Sequence, residues 1–180
     1  MNASHANGYA STYARWQADP EGFWRDAAEA IDWIKPPQRI FDADAGAYGR
    51  WFPDATCNTC FNALDRHVRD GRGEQTALIY DSPVTGTKAR YSYAQMLEEV
   101  AALGGVLQDL GVVKGDRVLI YMPMVPEAAF AMLACARIGA VHSVVFGGFA
   151  AKELATRIDD AEPRVILTAT CGIAPSRVVE

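Results

Sequence analysis

A chain of 180 residues that is half apolar and carries ordinary charge can bury one sizeable core, or a small domain with a docked extension. Its net charge of −5 and the lack of any Lys/Arg cluster argue against a nucleic-acid or membrane-surface role. No apolar run reaches membrane-spanning length, and Met1–Ala18 has no apolar centre of the kind a secretory signal needs, so the expected compartment is the cytoplasm or an organelle matrix.

In chain order, Tyr9–Ala18 and Pro20–Asp32 read as short helices rich in aromatics (Tyr13, Trp16, Phe23, Trp24, Trp33). Lys35-Pro36-Pro37 closes that region, because proline biases the residue before it away from helix. Phe41–Pro53 holds a second aromatic cluster without regular period, a composition suited to an arm that anchors on a larger body. Asn58 reads as a helix cap for a segment running to Gly71. Thr76–Tyr80 is strand-like, Ser82–Thr87 a turn and Lys88–Tyr91 the returning strand.

From Ser92 the pattern becomes regular. Ser92 and Gln95 form a capping box, and Tyr93, Met96, Leu97, Val100, Gly104 and Leu107 follow at helical spacing until Gly111. Arg117–Met122 is an apolar strand, and Pro126 opens a helix that Gly139 stops. Val141–Phe146, Ala150–Asp160 and Val165–Ala169 then read as strand, helix and strand. The three strands start 24 residues apart, and apolar strands separated by single helices predict a parallel sheet. The expected fold is therefore α/β: a parallel, doubly wound βαβαβ unit preceded by an irregular, aromatic-rich α-helical N-terminal extension.

Chemistry is sparse. Cys57 and Cys60 form a single C-x-x-C, but no second close pair and no paired histidines accompany it. Zinc and thiol redox chemistry stay open, while the reading as small apolar residues at a helix start is favoured. Gly147 and Gly148 follow the strand Val141–Phe146, at the carboxyl end where open α/β sheets hold ligands. Two readings compete there: close approach of a ligand to the backbone, or a tight strand-to-helix turn. Arg177 stands beyond the last strand, after a Pro175–Ser176 turn, and its guanidinium suits phosphate. "VTGTK" (Val84–Lys88) lacks a full phosphate-loop pattern and leads into a strand. No catalytic constellation and no metal-ligand set can be read.

Three stretches carry a resemblance: "YGRWFPDATCNTCFNALDRHV" (Tyr48–Val68), "DRVLIYMPMVPEAAFAMLACARIGAVHSVVFGGFA" (Asp116–Ala150) and "RIDDAEPRVILTATCGIAPSR" (Arg157–Arg177). They resemble the N-terminal part of AMP-forming short-chain acyl-CoA synthetases, the acetate/propionate–CoA ligases of the adenylate-forming superfamily. "IYDSPVTGT" (Ile79–Thr87) and "TATCGIAPSR" (Thr168–Arg177) look closer to the propionyl-CoA branch. The resemblance implies an N-terminal extension over residues 1–70 and the start of an AMP-binding domain over 71–180. It implies a short-chain carboxylate, propionate or acetate, and CoA as substrates, with ATP and Mg2+ handled by chain that lies downstream in the family. By the same resemblance Ala174, Pro175, Ser176 and Arg177 would hold the nucleotide phosphates of CoA, and Gly147 and Gly148 would flank its pantetheine. Ala174 departs from acetyl-type relatives, which carry a second arginine there, so CoA grip from this tract would be weaker or supplied elsewhere. The remainder of its own chain is an expected partner, and 180 residues alone would not adenylate. A stand-alone CoA- or nucleotide-binding module and a regulatory partner are the rival readings.

Overall fold

The computed structural model describes residues 8–148, 150–174 and 177–179. The chain divides into two compact units, Met1–Cys57 and Asn58–Glu180.

In the first unit, α1 (Gly8–Ala18) and α2 (Pro20–Ala28) follow one another, with Asp19 capping α2 by accepting the Gly22 amide at 2.9 Å. The sequence predicts that α2 continues to Asp32, but it stops at Ala28. The reason is local: the Trp33 indole N–H donates to the Ala28 carbonyl at 2.8 Å, satisfying a helix-end acceptor that one more turn would otherwise have used. Trp33 sits instead in β1 (Trp33–Lys35), which pairs antiparallel with β4 (Thr56–Cys57). Between them β2 (Phe41–Asp42) pairs with β3 (Arg50–Trp51). The aromatics that lacked a period on paper meet here: Phe41 and Trp51 lie 4.6 Å apart between ring centres, Trp33 and Phe52 5.6 Å, and Trp24 and Trp51 6.1 Å. Such tilted and edge-on contacts add to the area these rings bury.

The second unit opens with a helical segment. Asn58 accepts the Phe61 amide at 3.0 Å, as a cap should, but the turns that follow are π-helical at Phe61–Asp65 and at Val68–Arg72. The hairpin of β5 (Thr76–Ser82) and β6 (Thr87–Ser92) matches the expected strand–turn–strand and extends each strand by two residues. Ser92 and Gln95 form the reciprocal capping box at the start of α3 (Tyr93–Asp109). The buried side of α3, Met96, Val100, Gly104 and Leu107, falls on the predicted stripe.

The sheet that follows is parallel, with strand order β8-β7-β9, and the unit is mixed α/β. β7 (Arg117–Met122) is central, and its Val118, Leu119 and Ile120 are fully buried on both faces, which is why the strand reads as an unbroken apolar run. β8 (Val141–Phe146) pairs with it from Arg117↔Val141 to Met122↔Phe146, and β9 (Val165–Thr168) from Val118↔Val165 to Tyr121↔Thr168. α4 (Pro126–Ile138) has proline in its first turn and ends on Gly139 at φ 77°, a left-handed conformation that suits glycine. α5 (Ala151–Ala161) links β8 to β9. A last antiparallel pair, β10 (Gly172–Ala174) and β11 (Arg177–Val179), was not foreseen. Among the described residues no helix is long and apolar enough to cross a membrane.

Candidate functional site

All three parallel strands end on one edge: Met122, Phe146 and Thr168 are the last residues of β7, β8 and β9, and the register sets them within a residue of each other. Ligands of open α/β sheets lie just outside such an edge. Three loops border it: Pro123–Val125 after β7, Gly147–Gly148 after β8, and Ala169–Cys171 after β9.

The structure decides why Gly147 is glycine. A Cβ there would lie 2.7 Å from the Met122 carbonyl oxygen and 3.1 Å from the Pro123 nitrogen, both backbone atoms that cannot swing away. The turn after β8 is therefore pressed against the end of β7, and the space beside this glycine is already taken by protein. A Cβ on Gly148 would instead meet the Phe146 ring at 2.6 Å. Close packing against backbone accounts for glycine at 147, whereas the neighbour of Gly148 is a side chain that can rotate away. α5 begins after Ala150, whose side chain makes no capping bond. On the other flank the Val125 amide donates to the Pro123 carbonyl at 2.8 Å, a tight turn that leaves Met124 88% exposed.

Ala174 and Arg177 are partners across the β10–β11 hairpin, so only two residues separate the strands. Pro175 and Ser176 lie outside the described residues, and for Ala174 and Arg177 the backbone alone is described. The expected site residues thus follow two different strands of one sheet edge, Gly147–Gly148 after β8 and the hairpin three residues after β9. A two-residue turn between short β-branched runs was the signal for that hairpin, and it was legible as a turn but not as a strand pair.

Titratable groups elsewhere serve the scaffold. Cys60 is fully buried, with burial pushing its thiol above the usual range and the Arg137 guanidinium 3.8 Å from its sulfur. Burial likewise pushes the Cys135 thiol up to about 11. The apolar reading of the C-x-x-C holds for Cys60, while Cys57 is exposed on β4 and is no core residue. Arg137 donates to both Asp65 oxygens at 3.0 and 2.8 Å, and those bonds hold its guanidinium above its ordinary value. Asn58 adds a bond from its side-chain amide to the Arg137 carbonyl at 2.9 Å. Nothing in the local sequence pairs residues so far apart. Among the described residues no group of three or more His, Cys, Asp or Glu side chains is placed to hold a metal ion.

Comparison with known proteins gives the same picture from a different direction. Residues 9–63 match the profile of the acetyl-coenzyme A synthetase N-terminus, and residues 64–180 that of the AMP-binding enzymes. The mitochondrial acyl-CoA synthetase short-chain family member 3 of Mus musculus is 54% identical over 96% of this chain and 25% of its own length. An acetyl-coenzyme A synthetase of Streptomyces coelicolor is 48% identical over 94% of the chain and 26% of its own. The acetoacetyl-CoA synthetase structure from Streptomyces lividans superposes with a TM-score of 0.83 at 30% identity, covering 92% of this chain and 26% of that one. The chain spans about a quarter of the length of the relatives it matches. With nearly two thirds of its residues inside one family profile and a central parallel sheet to match, the chain belongs to the AMP-binding enzymes.

Proposed function

We propose that this chain is the opening part of an AMP-forming ligase that joins a short-chain carboxylate to coenzyme A. The observation that carries the reading is the tandem of the two matches, an acetyl-coenzyme A synthetase N-terminus at 9–63 running directly into an AMP-binding region at 64–180. In the first half-reaction a carboxylate oxygen attacks the α-phosphorus of ATP and the bond to pyrophosphate breaks. In the second, the thiol sulfur of CoA attacks the acyl carbon, loses its proton, and AMP leaves. Both steps need charge offset and positioning more than covalent help from the protein. The Mg·ATP site is assigned to chain outside these 180 residues, as the family resemblance implies.

The order β8-β7-β9 supports a doubly wound reading, in which crossovers of the usual right hand would carry α4 and α5 on opposite faces. Residues 1–70 act in this reading as an extension and 71–180 as the start of the adenylating domain. Relatives named as mitochondrial favour an organelle matrix as readily as the cytoplasm. Propionate is the favoured acid, because "IYDSPVTGT" (Ile79–Thr87) and "TATCGIAPSR" (Thr168–Arg177) look closer to the propionyl-CoA branch of the family. The complete protein is expected to catalyse ATP–pyrophosphate exchange and thioester formation with propionate, less well with acetate and butyrate. Exchange absent with all three acids would overturn the reading.

Ala174, Pro175, Ser176 and Arg177 form the proposed grip on the CoA nucleotide phosphates, with Arg177 supplying the charge. Arg177→Ala in the complete protein is expected to raise the KM for CoA about tenfold, the loss of one charge-assisted bond, while exchange stays within twofold. A loss confined to exchange would remove Arg177 from the thiol half-reaction.

A further inference from the structure

We propose that His67 is an acid-released latch: neutral and stacked on Tyr93, it holds the π-turned segment to the start of α3, and taking up a proton on its bare Nδ1 lets that segment go. This role is independent of the ligase reading.

Three observations carry it. His67 lies between the two π turns, and its ring centre is 4.5 Å from that of Tyr93, the first residue of α3. Backbone closes the same joint: the Tyr93 amide donates to the Gln75 carbonyl and the Ala94 amide to the Gly73 carbonyl, both at 3.0 Å. Next, the His67 Nδ1 is buried and has no hydrogen-bond partner among the described residues. A neutral ring meets this by carrying its hydrogen on Nε2. An imidazolium cannot, because it must place an N–H at the buried position with nothing to accept it. The atom is already enclosed by this chain, so no further polypeptide reaches it without first moving the ring. Last, the surrounding charge disfavours a cation. Burial first, then Arg72 and Arg66, hold the His67 pKa below its ordinary value. Asp70 pulls the other way, but it is shared with Arg69 at 2.8 Å and Arg72 at 3.8 Å. Asp65 of the preceding π turn is taken up by Arg137, and from α3 the titratable group against the ring is Tyr93. Above about pH 6.5, the ordinary histidine value, latched and open forms are both neutral and the latch is whole. As the pH falls below that value the open form takes its proton first, so opening gains until the latched ring also titrates.

The test follows hydrogen exchange by mass spectrometry in the complete protein between about pH 7.5 and about pH 5.5. In peptides spanning 61–75, exchange at the imidazole C–H reports the ionisation of His67, the one histidine they contain. In peptides spanning 89–100, protection of the backbone amides, corrected for the intrinsic pH dependence of exchange, reports how often the joint opens. The imidazole midpoint is expected below about 6.5. Amide protection should fall severalfold across the range, bounded at about tenfold per pH unit because a single proton is involved. His67→Phe keeps a ring against Tyr93 but cannot ionise, so its protection should stay within about twofold over the same range. His67→Gln, neutral and without a ring, should be equally flat but start from lower protection. A midpoint at or above the ordinary histidine value, protection that does not fall in the parent, or the same fall in His67→Phe overturns the proposal. Should neither variant fold, the midpoint and the protection of the parent decide it.

Discussion

Replacing Ile120 by alanine is expected to lower the apparent Tm of the complete protein by about 3 °C, a change scanning calorimetry would resolve. Ile120 sits in the middle of β7 with no solvent exposure, between β8 on one side and β9 on the other. Truncation removes three carbons from a site whose walls are strand backbone and packed side chains, so little can collapse into the gap. Buried Ile→Ala changes of this kind cost about 2–5 kcal/mol, and a central strand belongs near the upper end. Ile120→Val should cost only about 1 kcal/mol. Equal losses from the two substitutions would mean that β7 is not the centre of the core.

Asp65→Ala is the second large effect, expected at about 3 kcal/mol. The carboxylate is 19% exposed and the Arg137 side chain 32%, so removing Asp65 strands a half-buried cation beside the apolar Cys60. The loss should exceed that of a solvent-screened pair such as Lys88–Asp81, whose side chains are 77% and 54% exposed, where about 0.5 kcal/mol is the expected ceiling. The double variant Asp65→Leu/Arg137→Met should recover much of the stability, because the cost lies in the unpaired charge rather than in the lost bond. A double variant no better than Asp65→Ala would show that the pair itself carries the energy. In either case the pair fastens the π-turned segment to the C-terminal end of α4 across 72 residues of chain.

What the sequence showed well was what local chemistry determines. β7, α4 and β8 begin and end where predicted, because their apolar runs are framed by Pro126 and Gly139 and because a two-sided strand has no polar alternation to confuse it. α2 was drawn too long since its true stop is made by the indole of Trp33, a residue that reads as helix-compatible. β2 and β3 were illegible for another reason: two-residue ladders leave no periodicity, and the pairs Phe41–Trp51 and Asp42–Arg50 meet only in the fold. The site followed the same rule. Gly147 and Gly148 could be picked out and placed at a strand end, but the backbone that Gly147 packs against belongs to Met122, 25 residues earlier in the chain. The hairpin at Ala174 and Arg177 was marked by its turn residues.

Among the described residues β8 has a ladder partner on one side only, and along it Val141, Val144 and Phe146 are 52, 56 and 70% exposed. No lysine, proline or bulge interrupts that strand. A nascent polypeptide that has just completed β8 and β9 thus displays a sticky, hydrogen-bond-hungry ribbon with none of the usual deterrents to stacking against its neighbours on the ribosome. Slow translation at this stage would favour clumping, and chaperone dependence should peak there.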